Sequence, residues 1–187
     1  MGQLKGMLRI WGVPILQYVL DRLDWPGAKW LVTAPGREGP PGFERFDREL
    51  VDAEVGLGPL GGVLTALNAL DRGMLLVTTV DMPAVERAQL QWIAGQLAER
   101  PEHLGVMCRR IVAGREQIEP FPLALRAEAR SMLRQRLQAG RRAVHQLVDD
   151  SAFVVLDAPP DWDDFAWANL NRPRDLEEFE RKTKGQA

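Results

Sequence analysis

The stretch Met74-Leu75-Leu76-Val77-Thr78-Thr79-Val80-Asp81-Met82-Pro83 constrains the fold of this chain more than any other. It is a short, nearly continuous apolar run, rich in branched side chains, that ends in a carboxylate and then a proline. Such a run predicts a strand buried on both faces, as in parallel sheets covered by helices. Pro83 lacks the N–H that a central ladder requires, so the strand stops before it. Asp81 then falls at or just past the carboxyl end of a strand, where open α/β sheets place their ligands. An aspartate there can also cap the following helix. The stretch alone leaves both roles open.

The flanking chain alternates as such a sheet requires. An extended segment up to Trp11 breaks at Gly12-Val13-Pro14 into a helix with Leu16, Val19, Leu20 and Leu23 on one face. Residues 29–33 predict a strand, and residues 34–43, with three glycines and three prolines, predict a loop. A brief edge-side strand follows at 48–52, then the glycine-rich start of a helix running to residue 70. Beyond Pro83 the pattern predicts a helix at 86–100, a strand at 104–108, a polar turn at 109–116 and a strand at 119–125. Pro120 and Pro122 suit an edge or a bulge in that last strand. Helices at 127–138 and 143–148, strands at 153–156 and 165–170, and a helix at 172–182 complete the chain. The expected class is α/β: a Rossmann-like three-layer α/β/α sandwich with a mostly parallel central sheet. Its 187 residues suit a single domain, 1–187.

Composition removes several classes of function. A net charge of −2 gives no argument for nucleic acid or an acidic membrane as partner. The arginines between 126 and 142 are interleaved with Glu128 and apolar residues, which describes a solvated helix face. The single cysteine, Cys108, rules out an intrachain disulfide framework and a Cys-rich zinc site, and suits a cytoplasmic location. No apolar run is long enough for a membrane span, and no signal-peptide pattern opens the sequence. His103 and His145 have no second ligand at metal spacing, so packing or surface roles are expected.

Three features remain: Asp81 at a strand end, the helix start Gly58-Pro59-Leu60-Gly61-Gly62, and Lys5 among small residues. A carboxylate can hold Mg²⁺, first-turn amides can accept phosphate oxygens, and a lysine can neutralise charge. These are the parts of phosphoryl or nucleotidyl transfer, in which positioning and charge neutralisation supply most of the rate. Mg²⁺ takes one or two carboxylates and completes its shell with phosphate and water, so one aspartate suffices.

In combination and in order, Met1-Gly2-x-x-Lys5-Gly6, Gly58-Pro59-Leu60-Gly61-Gly62, Val80-Asp81-Met82-Pro83, Pro122-Leu123-Ala124-Leu125 and Asn169-Leu170-Asn171-x-Pro173-x-Asp175-Leu176 resemble the MobA family of molybdenum cofactor guanylyltransferases. The resemblance implies transfer of GMP from Mg-GTP to molybdopterin cofactor, with pyrophosphate released. It implies Mg²⁺ as cofactor, and carrier or acceptor enzymes of the molybdenum cofactor as further partners. Asp81 would hold Mg²⁺, and Lys5 would neutralise the triphosphate. Leu60, Gly61 and Gly62 would border the guanine, with Asp52 on the base side. Asn169 and Asn171 would face the pterin, or form an Asx turn and cap leading into Pro173.

The sequence departs from the family pattern at its start. The pattern has a strand and Leu-Ala-Gly-Gly-x-Ser-x-Arg immediately before the Met-Gly, and none of it occurs here. The residue before the motif lysine is usually Asp and here is Leu4, and an Asn after the second strand is replaced around Ala34-Pro35. A central strand buries four or five large side chains at about 1.5–3 kcal/mol each, a sum comparable to the roughly 5–15 kcal/mol net stability of a domain. Without it, an open slot with unpaired amides and carbonyls is expected between two strands. The expectation is either that Met1 is internal to a longer protein or that the chain is a short non-catalytic paralogue, acting as a binding or adaptor protein. Weak or absent GTP binding and low thermal stability are expected of the 187 residues alone. Within enzymes, the alternatives are a nucleotidyltransferase using CTP with the molybdenum cofactor, or one acting on a sugar phosphate.

Overall fold

A computed structural model describes residues 5–36, 39–52 and 56–184, so the motif residues Met1 and Gly2, and Leu4, lie outside the described part. Strands β1 (Arg9–Ile10) and β2 (Val13–Pro14) form a small antiparallel turn that leads into helix α1 (Ile15–Leu23). Ile15, Leu16, Val19, Leu20 and Leu23 bury the expected face of α1. The helix stops at Asp24, whose left-handed backbone returns its N–H to the carbonyl of Leu20. Strands β3 (Trp30–Thr33) and β4 (Arg48–Val51) pair in parallel.

Helix α2 runs from Gly58 to Ala69, and strand β5 from Met74 to Val77. Helix α3 spans Arg87–Ala98, with the side chain of Gln89 closing its start on the N–H of Glu86 at 2.5 Å. Strands β6 (Gly105–Val112) and β7 (Arg115–Arg126) make a long hairpin. Helix α4 (Arg130–Gln138), strand β8 (Phe153–Asp157) and helix α5 (Pro173–Thr183) follow. The core joins Leu60, Val63 and Leu67 of α2, Leu90, Ile93 and Leu97 of α3, Val106–Cys108 of β6 and Leu123–Leu125 of β7.

The α/β class holds, with a mixed sheet order β5-β7-β6-β8. Strands β5, β6 and β8 run one way; only β7 is reversed, so β7 meets both neighbours antiparallel while β6 and β8 pair in parallel. The reversal comes from a two-residue turn. Ala113 and Gly114 both have positive φ (49° and 75°), the backbone that matches strand twist in a hairpin. Residues 109–112, 115 and 116 are therefore strand, where a polar turn was expected. The prolines do not mark an edge, since β7 lies between β5 and β6. They do sit at an irregularity: the register jumps from Cys108↔Glu119 to Val106↔Ala124, so residues 120–123 bulge past one residue of β6. Residues 165–167 form a turn and 168–170 are irregular, not a strand; Trp167 and Leu170 are nonetheless buried, and the Leu170 N–H is held by the carbonyl of Asp81.

Strand β5 is only half-buried, against the expectation of burial on both faces. Its one hydrogen-bonded neighbour among the described residues is β7, and the one neighbour of β3 is β4. Among the described residues the two sheet fragments are not hydrogen-bonded to each other.

Candidate active site

After Val77 the chain leaves the strand, and a turn closed by Met82 N–H on Thr79 O (3.1 Å) carries Asp81. Asp81 is 9 % exposed. The hydroxyl of Thr79 donates to its Oδ1 at 2.5 Å, and its backbone carbonyl accepts the N–H of Leu170 at 2.8 Å. The first contact orients the carboxylate and the second holds its backbone, so Asp81 is a constrained group facing a cation. That cation is Lys5, in a short 3-10 turn spanning Lys5–Met7. Its Nζ reaches the Asp81 carboxylate and donates to Asn171 Oδ1 at 2.6 Å. Residues 76 and 166 positions apart thus meet at one ammonium group.

Asn171 holds this place through the start of α5. The carboxylate of Asp175 accepts the N–H groups of Asn171 (2.8 Å) and Arg172 (2.7 Å), and Pro173 occupies the first turn where no N–H is needed. Both readings of the Asn-rich motif therefore apply to Asn171: backbone in a capped helix start, side chain on Lys5. Asn169 lies to one side, lining a polar cleft of about 180 Å³ with Asp164, Asp175 and Lys182.

A second cluster forms where β4 ends. The N–H of Asp52 bonds to Thr33 O (2.8 Å), and Thr65 of α2 donates its hydroxyl to Asp52 Oδ1 (3.1 Å). Helix α2 begins at Gly58, whose φ of +66° suits glycine, so Gly61 and Gly62 belong to its first turns and not to a preceding loop. A Cβ on Gly61 would come within 2.6 Å of Leu57 Cβ and 3.2 Å of Asp52 Oδ2, so glycine is what lets the helix approach the carboxylate. Gly62 would meet only Val32, at an ordinary 3.5 Å. Leu60 is fully buried and shares the core-facing stripe with Val63 and Leu67. Its side chain packs inward, so at this position only backbone can border a ligand.

The predicted residues thus divide into Lys5, Asp81 and Asn171 in one cluster and Asp52, Gly61 and Gly62 in another. Sequence reasoning missed Thr79 and Thr65. The available signals were a hydroxyl two residues before Asp81 and another one helical turn beyond Gly61. Among the described residues no group of three or more His, Cys, Asp or Glu side chains could enclose a metal. Asp81 with the neighbouring Thr79 hydroxyl offers hard oxygen only, and a single carboxylate. That donor set fits Mg²⁺ arriving with phosphate oxygens and does not fit a metal caged by protein.

The remaining singled-out groups lie elsewhere. His103 packs with its Nδ1 2.9 Å from Glu102 Oε1, and His145 is exposed on a 3-10 turn. Cys108 is buried in β6, and burial, with a smaller contribution from the charge of Glu119, pushes its thiol up to about 12. A thiol so protonated and enclosed is a poor nucleophile. We expect no reaction of the native protein with an aromatic disulfide reagent at pH 8 over an hour, and one equivalent within minutes in denaturant. Rapid labelling of the native protein would contradict the burial. Among the described residues no helix is long and apolar enough to cross a membrane.

Residues 1–152 match the family model of the MobA-like NTP transferase domain. A probable molybdenum cofactor guanylyltransferase of Thermococcus kodakarensis is 26 % identical over 175 residues, spanning 92 % of this chain and 84 % of the relative. The crystal structure of molybdopterin-guanine dinucleotide biosynthesis protein A from Archaeoglobus fulgidus superposes with a TM-score of 0.79 at 18 % identity, covering 98 % of this chain and 92 % of that one. A 2-C-methyl-D-erythritol 4-phosphate cytidylyltransferase from Thermus thermophilus superposes at 0.72, also at 18 % identity, covering 96 % and 94 %. At such identities the two structural likenesses establish a shared fold.

Proposed function

The chain belongs to the MobA-like NTP transferase family, and on that premise we propose that it transfers GMP from Mg-GTP to the molybdopterin cofactor. An oxygen of the cofactor's phosphate attacks the α-phosphorus of GTP, the bond to the β-phosphate oxygen breaks, and pyrophosphate leaves. The observation that carries this reading is the meeting of Lys5, Asp81 and Asn171 at the end of the turn after β5. Asp81 would hold Mg²⁺, which neutralises the charge of the triphosphate and of the departing pyrophosphate. Lys5 supplies a second positive charge and, through Asn171, ties it to the segment that leads to Asn169. The two asparagines would face the pterin. The reaction would take place in the cytoplasm.

Asp52 supports guanine over cytosine. The Watson–Crick edge of guanine carries two adjacent donors, the N1–H and the 2-amino group, which match the two oxygens of a carboxylate. Cytosine presents a single amino donor beside an acceptor nitrogen, which a carboxylate meets with repulsion. Thr65 fixes one of those oxygens, and Gly61 lets the first turn of α2 approach the other.

The test compares α-labelled GTP and CTP as donors to purified molybdopterin cofactor, with Mg²⁺ and with a chelator. We expect Mg-dependent transfer of GMP, at least about tenfold faster than transfer of CMP, a factor worth about 1.4 kcal/mol. Lys5 is the cation paired with Asp81 among the described residues, so its loss should slow the transfer. Preferred transfer of CMP would reassign the base specificity. Binding of cofactor with no transfer from either nucleotide would identify an adaptor and overturn the proposal.

A further inference from the structure

Resting on the reading of Asp81 as the Mg²⁺ ligand, we propose that Thr79 divides its carboxylate into a held oxygen, Oδ1, and a cation-binding oxygen, Oδ2. Thr79 is then a positioning residue that makes this site favour Mg²⁺ over Ca²⁺. In the structure the two oxygens have different partners. Oδ1 accepts the Thr79 hydroxyl at 2.5 Å, and Oδ2 takes the Lys5 ammonium group. The cation sits on the oxygen that the hydroxyl leaves free.

The chain builds this division locally. Strand β5 ends at Val77, and the turn closed by Met82 N–H on Thr79 O (3.1 Å) carries residues 79 and 81 on one bend. Thr79 and Asp81 are two residues apart, so their bond needs no element from elsewhere in the fold. Lys5 and Asn171, by contrast, come from distant parts of the chain. The hydroxyl thus orients the carboxylate before a cation reaches it, and less side-chain freedom is lost when one binds. Asp81 is buried, so this charge-assisted bond is made largely out of water, where it is strong. Thr78 supplies the contrast. Its Oγ1 is buried with no hydrogen-bond partner among the described residues, so Thr79 and not its neighbour serves the carboxylate.

The coordination habits of the two ions convert the division into selectivity. Mg²⁺ demands near-octahedral oxygens at about 2.0–2.1 Å and needs one oxygen of a carboxylate, whereas Ca²⁺, at about 2.3–2.6 Å, also takes both oxygens of one group. A hydroxyl proton on Oδ1 draws charge from that oxygen and fixes the orientation of the group. It therefore lowers what a second oxygen can contribute and leaves Oδ2 at full strength. Removing the hydroxyl frees both oxygens to turn towards one ion, which favours the larger.

The experiment uses the full chain and Mn²⁺, a paramagnetic ion that shares the carboxylate preference of Mg²⁺. Mn²⁺ is supplied with GTP and, in parallel, with CTP, so base preference does not enter, and Ca²⁺ is titrated as competitor. Water-proton relaxation reports the protein-bound Mn²⁺, and no acceptor is present, so nothing turns over. We expect Thr79→Val to weaken binding of the Mn²⁺–nucleotide about tenfold, the usual effect of losing a hydrogen bond to a metal ligand. The affinity ratio of Ca²⁺ to Mn²⁺ should rise at least about threefold, because Ca²⁺ alone gains from a second oxygen. Thr79→Ser keeps the hydroxyl and should restore both parent values. Thr78→Val should change neither, and the melting temperatures of all three variants should stay within a few degrees of the parent. Equal weakening of both ions, no weakening in Thr79→Val, or no recovery in Thr79→Ser would overturn the proposal alone, with Asp81→Asn still abolishing binding. Mn²⁺ binding that survives Asp81→Asn, or no binding by the parent, would overturn this proposal and the metal role of Asp81 together.

Discussion

Replacing Asp81 with asparagine should lower Mg-dependent nucleotide transfer by about a thousandfold while leaving the melting temperature within a few degrees of the parent. The magnitude follows from what the position does chemically. Removing one group that stabilises transition-state charge in a protected site costs about two to three orders of magnitude, and the carboxylate that would hold Mg²⁺ in the proposed mechanism is lost as well. The asparagine keeps the volume of Asp81, accepts from Thr79 and leaves the backbone bond to Leu170 in place, so the turn should survive. Lys5→Ala should have a smaller effect, about ten- to a hundredfold, because in the proposed mechanism Mg²⁺ would share the neutralisation of charge. Asp52→Asn should act differently, reducing the preference for GTP over CTP more than the maximal rate. Side-by-side rates at saturating Mg-GTP check the first expectation. An Asp81→Asn protein keeping more than a tenth of the parent rate would remove Asp81 from the mechanism.

The position of Asp81 was legible because two local signals agree: an apolar branched run that must be a strand, and a proline that must end it. The approach of Lys5 to Asp81 followed only from the combination of motifs, and the contact of Asn171 with Lys5 was not foreseen, since neither residue carries a local sign of its partner. Strand direction was not legible. An apolar strand buried on both faces looks the same running either way, and the reversal of β7 is decided by a two-residue turn at Ala113 and Gly114 that the surrounding charged residues conceal. The prolines misled for a related reason. A missing donor can be absorbed in a central strand when the register bulges there, as it does at 120–123. Leu60 illustrates a further limit. A motif residue beside a ligand site can contribute backbone alone while its side chain belongs to the core.

The largest stability effect away from the site should come from the root of the hairpin. Glu119 is 8 % exposed, and its Oε1 accepts from Arg110 Nε at 2.6 Å and from Gln117 Nε2 at 2.9 Å. Arg110 also donates to Asp164 (2.8 Å) and lies over the ring of Trp167 at 5.6 Å, pinning the turns at 161–168 to the sheet. Truncation to Arg110→Ala leaves a carboxylate out of water with one neutral donor, and breaking a buried pair in this way costs about 3–5 kcal/mol. That is a third or more of the net stability of an ordinary domain. The cost belongs to the stranded charge, not to the pair as such. Arg110→Ala combined with Glu119→Gln should therefore recover about half the loss, although it restores no contact to Asp164 or Trp167. The adjacent Arg109 provides an internal comparison. Its partners Asp157 and Glu116 are exposed, so water solvates both charges when the pair is broken, and Arg109→Ala should shift the denaturation midpoint far less. Urea titrations of the four proteins at one pH decide the matter. Equal losses for Arg109→Ala and Arg110→Ala, or no recovery in the double variant, would show that hairpin packing and not the buried carboxylate sets the stability of this region.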